Sequence, residues 1–402
     1  MNRRHARRPT PATRRGMTLV ELLAVVLIIG ILIALLVPAV IRAVDRARDA
    51  QAIGEMNQLT QALNDFKSKY GDFPPSRILL DESGNYYQYS ANFTTLASSS
   101  STNDITYAAL AQRSLSYLRK FYPRMTGLGA GALQLGTFYD FNGDGQMNLN
   151  GPYVLQGHQC LVFFLGGVSN RSIGSGGVAQ YGMMGIGKNP ANPFPPLPFA
   201  TAALAANREA PLFEFRGNRL FDATGTNFPG YLDPIGSGSS ARFYAYFSSY
   251  GNNGYDPNDV NVPMNQSTGI GGFDPNDLTD NNMNYSGSLV YRTFSANFSV
   301  VDPTLGTTNY VKSVAPNPYT TTTPYSTTSA VTTFVNPNTF QILSAGLDGL
   351  YGIGGQFSPN ATTGNRLPLD AGIFPQSSGQ PDPLMRSREA DNVTNFATGR
   401  LQ

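Results

Sequence analysis

Residues 14–40 read "RRGMTLVELLAVVLIIGILIALLVPAV". Two arginines lead through one glycine into an apolar run whose only acid, Glu21, stands near its start. Leu22 to Ile41 is twenty residues without a charge. At about 1.5 Å rise per residue, a helix of that length covers about 30 Å, the hydrocarbon thickness of a bilayer. A secretory signal peptide has an apolar region of only about 7–15 residues and ends in a small-residue cleavage site. Here the run is longer, and "LLVPAV" matches such a site poorly. The stretch predicts a single membrane-spanning helix rather than the core helix of a soluble domain.

The flanks orient that helix. Residues 1–16 hold Arg3, Arg4, Arg7, Arg8, Arg14 and Arg15 and no acid, whereas Arg42, Asp45, Arg46, Arg48 and Asp49 downstream are of mixed sign. An excess of arginine holds its side of a span in the cytoplasm. The whole chain carries 28 Lys and Arg against 26 Asp and Glu. Without the six leader arginines the balance is 22 against 26, a net charge of −4. The remainder is therefore not a basic nucleic-acid binder, and no nucleic-acid partner is expected.

Glu21 lies six positions after Arg15, about 9 Å along a helix, so it can reach the cytoplasmic interface while the span sits in lipid. An unpaired carboxylate among apolar surfaces is penalised heavily. If the helix later packs among identical helices, Glu21 needs a cation, and a cut before Met17 would create one as a new α-amino group. Two other readings are an interfacial anchor at Glu21 and a twin-arginine export signal at Arg14-Arg15. The latter ordinarily carries a less apolar run without an acid.

The combination of a short basic leader, Gly16, Met17-Thr18-Leu19-Val20-Glu21 and a twenty-residue apolar run resembles the processing signal of type IV pilins and type II secretion pseudopilins. That resemblance implies cleavage after Gly16 by a prepilin peptidase, N-methylation of Met17 by the same enzyme, and a docking role for Glu21. Methionine replaces the commoner phenylalanine at Met17. The resemblance further implies an inner-membrane assembly platform and other pilin or pseudopilin subunits as partners. The chain would stand in the inner membrane with its C-terminal part periplasmic, and would join an extracytoplasmic filament on assembly.

Beyond the span, Val40, Val44, Ala47, Ile53, Met56, Leu59, Leu63, Phe66 and Tyr70 recur at mostly helical spacing, and Gly71 with Pro74-Pro75 stops the pattern. One helix from Met17 to Tyr70 would run about 80 Å. Pro38 inside it removes a backbone donor and favours a kink. The segment "LNDFKSKYGDFPPS" also resembles the helix end of major pseudopilins. The expected organisation is a removable leader over 1–16, the long helix over 17–71 with its transmembrane segment at 22–41, and an exported region over 72–402. The expected fold class is α+β and pilin-like: a helix with a transmembrane half and an amphipathic half, packed on a loop-rich antiparallel β domain. An exported region this long resembles those of specialised prepilin-type proteins.

That region is rich in glycine and proline, with 42 Gly, 28 Pro, 21 Tyr and no Trp, which suits loop-rich β structure. A second helix is predicted over 105–123, ended by Pro123. "YVLQGHQCLVFFLGG", "PLFEFRG", "RFYAYFSSY", "SLVYRTF" and "TFQILSAG" read as strands, and 169–208, 251–285 and 313–338 as long loops. The turns "YDPNDVN" and "FDPNDLTD" echo each other eighteen residues apart. The single cysteine, Cys160, forms no intrachain disulfide and reads as a core thiol.

One loop carries metal chemistry. In "YDFNGDGQMN", Asp140, Asn142 and Asp144 alternate, Gly145 turns the chain, and Asn148 takes the ninth position. This resembles the calcium loop of EF-hands and dockerins, in which oxygen ligands recur at every second residue. The twelfth position is Gly151 rather than an acid, so either the ligand comes from elsewhere or binding is weak. The same residues equally suit a run of Asx turns. Asp348 in "SAGLDGLYG" is a further, weaker calcium candidate. No HExxH, GxSxG or P-loop pattern occurs, and the only histidines are His5 and His158. His158 and Cys160 on a strand would share a face as a core pair. The reading is a structural subunit and not an enzyme; its rival is a membrane-anchored exported binding protein or enzyme that borrows the leader.

Overall fold

A computed structural model describes residues 18–88, 107–129, 138–148, 152–173, 179–196, 207–222, 225–236, 242–250, 255, 318–321, 333–349, 351, 354, 356–362, 365–368 and 389–401. Gly16, Met17, the two DPND turns and "SLVYRTF" fall outside these residues. The chain divides into two compact units, Met1–Arg48 and Asp49–Gln402. The fold is α+β, with a long apolar N-terminal helix and antiparallel sheets.

Helix α1 runs from Leu19 to Tyr70 with Pro38 inside it. Its stop is local: Gly71 takes φ 86°, a left-handed conformation that costs glycine nothing, and its N–H closes on the Lys67 carbonyl at 2.7 Å. Lys67 and Lys69 in the last turn complement the negative helix end. In the first unit the apolar side chains of α1 are exposed, from Leu19 at 78 % to Val44 at 44 %. The apolar face expected to start at Val40 therefore begins later. In the second unit, Ala52, Met56, Leu59, Leu63 and Phe66 are buried, at alternating steps of four and three residues.

Those residues enter the main core of the second unit together with α2 (Tyr107–Phe121) and α3 (Gly157–Gly166). Phe66 meets Phe121 edge-on at 5.1 Å between ring centroids, and Phe164 at 5.7 Å. Helix α2 stops two residues before Pro123, as its sequence predicts. The Ser114 hydroxyl on α2 accepts the N–H of Leu79 at 2.8 Å, which fastens α2 to β1 (Ile78–Leu80). Strand β1 pairs antiparallel with β2 (Tyr153–Leu155), setting Ile78 opposite Leu155 and Leu80 opposite Tyr153.

The sequence reading of 153–167 as one strand needs correction. Only Tyr153–Leu155 is extended; Gly157–Gly166 is α3, buried at every residue. Two further stretches also differ. "PLFEFRG" is irregular up to a 3₁₀ turn at Gly217–Arg219. The expected loop 169–208 contains a hairpin of β3 (Ser169–Ile173) and β4 (Ala179–Met183), then β5 (Ile186–Gly187) paired with β6 (Arg208–Glu209). Gly167 and Gly185 make this packing: a Cβ on Gly167 would stand 2.2 Å from the Gly185 carbonyl carbon.

Strands β7 (Leu220–Phe221) and β8 (Gly230–Tyr231) form a further pair. The three-stranded sheet is β9 (Ala245–Ser248), β10 (Phe340–Ser344) and β11 (Val393–Thr394), in the order β11-β10-β9. Both predicted strands "RFYAYFSSY" and "TFQILSAG" are here. Tyr246, Phe340 and Ile342 face the main core, while Ala245, Phe247 and Leu343 face a second core with Tyr255, Tyr319, Phe334, Tyr351 and Phe357. The period of two thus places one core on each side of the sheet. Gln341, fully buried on the second side, accepts the Tyr319 N–H at 2.7 Å and donates to the carbonyls of Tyr319 and Val335.

One polar cluster joins α1 to the β elements of the second unit. The Glu55 carboxylate accepts two hydrogen bonds from the Arg219 guanidinium, at 2.8 and 2.7 Å. It also accepts the hydroxyls of Tyr231 at 2.9 Å and Tyr244 at 2.8 Å. Arg219 donates as well to the Leu232 carbonyl through Nε and stacks over the Tyr231 ring at 4.2 Å. Burial alone would lower the Arg219 pKa, yet the bonds and charge of Glu55 raise it above its ordinary value. Removing one member of such a cluster strands the others without water. Glu55→Ala is expected to cost about 3–5 kcal/mol of stability. Lys120→Ala, which breaks an exposed bridge to Asp72, is expected to cost about 0–1 kcal/mol. Denaturant unfolding of the full chain in detergent checks the ranking, and equal losses would contradict it.

Candidate functional site

The first candidate is the N-terminal part of α1. Its apolar residues from Leu19 to Val44 present one uninterrupted exposed surface, larger than a soluble monomer ordinarily leaves to water. By length and composition α1 can cross a membrane, and its position is compatible with an anchor or a signal sequence. Gly16 and Met17, the residues of the expected cut, lie outside the described residues, and Pro38 lies within the exposed stretch.

Glu21 stands in the first turn with a partner the sequence reading overlooked. Its Oε2 accepts the Thr18 N–H at 2.8 Å and the Thr18 hydroxyl at 3.0 Å, while its own N–H donates to Thr18 Oγ1 at 3.2 Å. This is a reciprocal capping box of the form T-x-x-E. The signal was legible as "TLVE" at 18–21. The box starts the helix and also gives the carboxylate a local purpose. Both Thr18 bonds fall on Oε2, so Oε1 keeps its acceptor capacity.

The second candidate is the acidic loop at 140–148. Asp140 is wholly buried. Its Oδ1 accepts the N–H groups of Gly143 at 2.8 Å and Asp144 at 3.1 Å, and its Oδ2 that of Gly145 at 3.0 Å. Gly143 and Gly145 both take positive φ, which lets three successive N–H groups turn inward. Asn142 donates to Asp144 Oδ2 and to the Tyr153 hydroxyl, both at 2.9 Å. Asp144 Oδ1 accepts the Gln146 N–H at 2.7 Å. Asp140, Asn142 and Asp144 are thus brought together, in a run of Asx turns. Among the described residues, no three Asp, Glu, His or Cys side chains already stand at metal-holding spacing.

Sequence reasoning missed Glu82. This residue, two positions past β1, is 2 % exposed, and its Oε2 accepts the Asn148 N–H at 2.7 Å. Its backbone carbonyl accepts the Tyr139 N–H at 3.0 Å. Glu82 therefore touches both ends of the loop. Burial pushes its carboxyl up to about 8; the Asn148 N–H opposes this, and the negative charges of Asp140 and Asp144 add to the rise. No pattern within 140–151 could have pointed to it, because the β1–β2 register delivers it from another part of the chain.

Asp348 lies apart in the turn at 346–349. It is exposed, its N–H donates to Asp391 Oδ2 at 3.2 Å, and its charge acts on Arg242. The His158–Cys160 pair is corrected along with its strand. On α3, residues two apart diverge by about 200° and do not share a face. Burial lowers the His158 pKa to about 3, its ring packs against Phe243 at 4.9 Å, and its Nδ1 has no hydrogen-bond partner.

Compared with family models, with curated proteins and with solved structures, the chain gives no match.

A pH dependence follows from Glu82. The fold holds its proton more tightly than the unfolded chain does, so the contribution to stability is present below about 4.5 and is lost as pH rises through about 8. Unfolding free energies measured in chelator across that window should carry this downward slope, and Glu82→Gln should flatten it. An unchanged slope would show that other groups set the dependence.

Proposed function

We propose that this chain is a pilin- or pseudopilin-like structural subunit. A prepilin peptidase cuts it after Gly16 and methylates Met17. It waits in the inner membrane as a single-pass protein with its N-terminus cytoplasmic and residues 72–402 periplasmic, then enters a filament through α1 with the help of an assembly platform. The observation that carries this reading is the exposed apolar surface of α1 over Leu19–Val44, directly preceded in sequence by the basic leader and Gly16. Lipid satisfies that surface first, and neighbouring copies of the helix satisfy it afterwards. Burial of apolar area drives either association at about 25 cal/mol per Å².

In the filament, Glu21 would pair with the Met17 amine of a neighbouring subunit, using the oxygen that the Thr18 box leaves open. The box also favours a second reading. If Glu21 only caps α1, the chain is an anchored exported protein whose acid has no docking role.

Two measurements separate these readings. Mass spectrometry of the mature chain should find N-methylated Met17 at its start; an intact leader would contradict the processing. Glutamine can still accept the Thr18 N–H but carries no charge. Glu21→Gln should therefore insert normally yet enter filaments about tenfold less, the factor that 1.4 kcal/mol represents. If Glu21→Gln assembles like the native chain and only Glu21→Ala fails, the cap is the whole role of this residue.

A further inference from the structure

The acidic loop and Glu82 together carry more than a set of turns. Asp140, Asn142 and Asp144 supply oxygens at every second position, the pattern a hard divalent cation selects. The twelfth position of that pattern is glycine, Gly151. The missing carboxylate is found across the fold. The β1–β2 register pairs Leu80 with Tyr153, and this carries Glu82 to the strand of chain that leads from the loop into β2. One Glu82 oxygen is held by the Asn148 N–H, at the ninth position of the loop. The other, Oε1, is buried and accepts no well-formed hydrogen bond; the Phe141 N–H acts on the carboxyl but is given to the Tyr139 carbonyl at 3.1 Å. A buried carboxylate oxygen with no donor is costly and asks for a partner. The charges acting most strongly on Glu82 are those of Asp140 and Asp144, both negative, so the partner that suits it is a cation.

The Asx-turn bonds leave acceptor capacity for that partner. Each carboxylate oxygen has two lone-pair directions; Asp140 Oδ1 accepts two N–H groups, whereas Asp140 Oδ2 and both Asp144 oxygens take one of the turn bonds each. Among the described residues, Arg208 is a cation whose charge interacts with Asp140. Its Nη1 is committed to the Gly185 carbonyl at 3.0 Å.

We propose that residues 140–148 form a calcium site closed by Glu82 in place of an acid at position 151, with Asp140, Asn142 and Asp144 as the loop ligands. Rotation about side-chain torsions brings the three carboxylates to a common point, and the ion then joins the turn after β1 to the segment that enters β2. The site is independent of the assembly role of α1.

Terbium luminescence on the full chain in detergent tests this, since Tyr153 is bonded to Asn142 and can sensitise a bound lanthanide. Native protein should give tyrosine-excited Tb³⁺ emission that Ca²⁺ displaces, and its melting temperature should rise with Ca²⁺ over chelator, as a ligand of the folded state requires. Glu82→Gln should fold at least as well as native protein in chelator, because the amide has the shape and neutrality of the protonated carboxyl that the metal-free fold favours. It should bind Ca²⁺ about tenfold more weakly or worse, as loss of a charged ligand dictates. Asp144→Asn should behave the same way. No emission and no melting shift at millimolar Ca²⁺ would overturn the site. Undiminished Ca²⁺ affinity in Glu82→Gln would overturn the part given to Glu82. A Glu82→Gln protein that melts well below native in chelator would show a structural carboxylate instead.

Discussion

A carboxylate buried on the side of a helix needs more partners than its own helix can offer, and Glu55 finds four donors from three residues. Arg219 comes from the 3₁₀ turn before β7, Tyr231 from β8, and Tyr244 from the chain entering β9. The geometry is met only when these elements arrive at α1 together. Apolar packing alone would tolerate small rotations of α1 about its axis; a bidentate guanidinium does not. The cluster therefore sets the rotation of α1 against the sheets, and with it which stripe, Ala52 to Phe66, meets the main core. Asp49, bonded to Arg400 at 2.8 Å, sets a second such point six residues earlier, about 1.7 turns along the helix.

What was legible in the sequence was whatever local chemistry decides. The apolar length of α1 and its end at Tyr70 follow from composition and from Gly71, and α2 ends ahead of Pro123 for reasons internal to its own residues. Strands β9 and β10 announce themselves through β-branched and aromatic residues. The reading failed where the environment decides. "CLVFFLGG" is apolar at nearly every position, so it shows neither period, and only burial on all sides makes α3 a helix. The β3–β4 hairpin is mostly polar and exposed, and pairing rather than patterning holds it.

The candidate sites divide in the same way. The Thr18–Glu21 box was present as four consecutive residues and was passed over in favour of a longer-range role for the acid. Asp140, Asn142 and Asp144 were visible as an alternating motif. Glu82 was invisible, because cross-strand register joins it to the loop. Glu55, too, reads as one more charge in "GEMNQL", and its partners lie more than 160 residues away.

The second core has a bearing on how this chain can change. Tyr255 and Tyr319 both pack in it, and the Tyr255 hydroxyl and the Tyr319 backbone are each bonded to the segment at 335–341. Tyr255 and Tyr319, with 63 residues between them in sequence, are thus neighbouring anchor points on the side of the sheet opposite the main core. Closing a longer excursion between fixed ends costs little, about 0.6 kcal/mol for each doubling of its length. Any change in the length of chain between Tyr255 and Tyr319 would thus be felt first at the second core, whereas the buried stripe of α1 belongs to the main one.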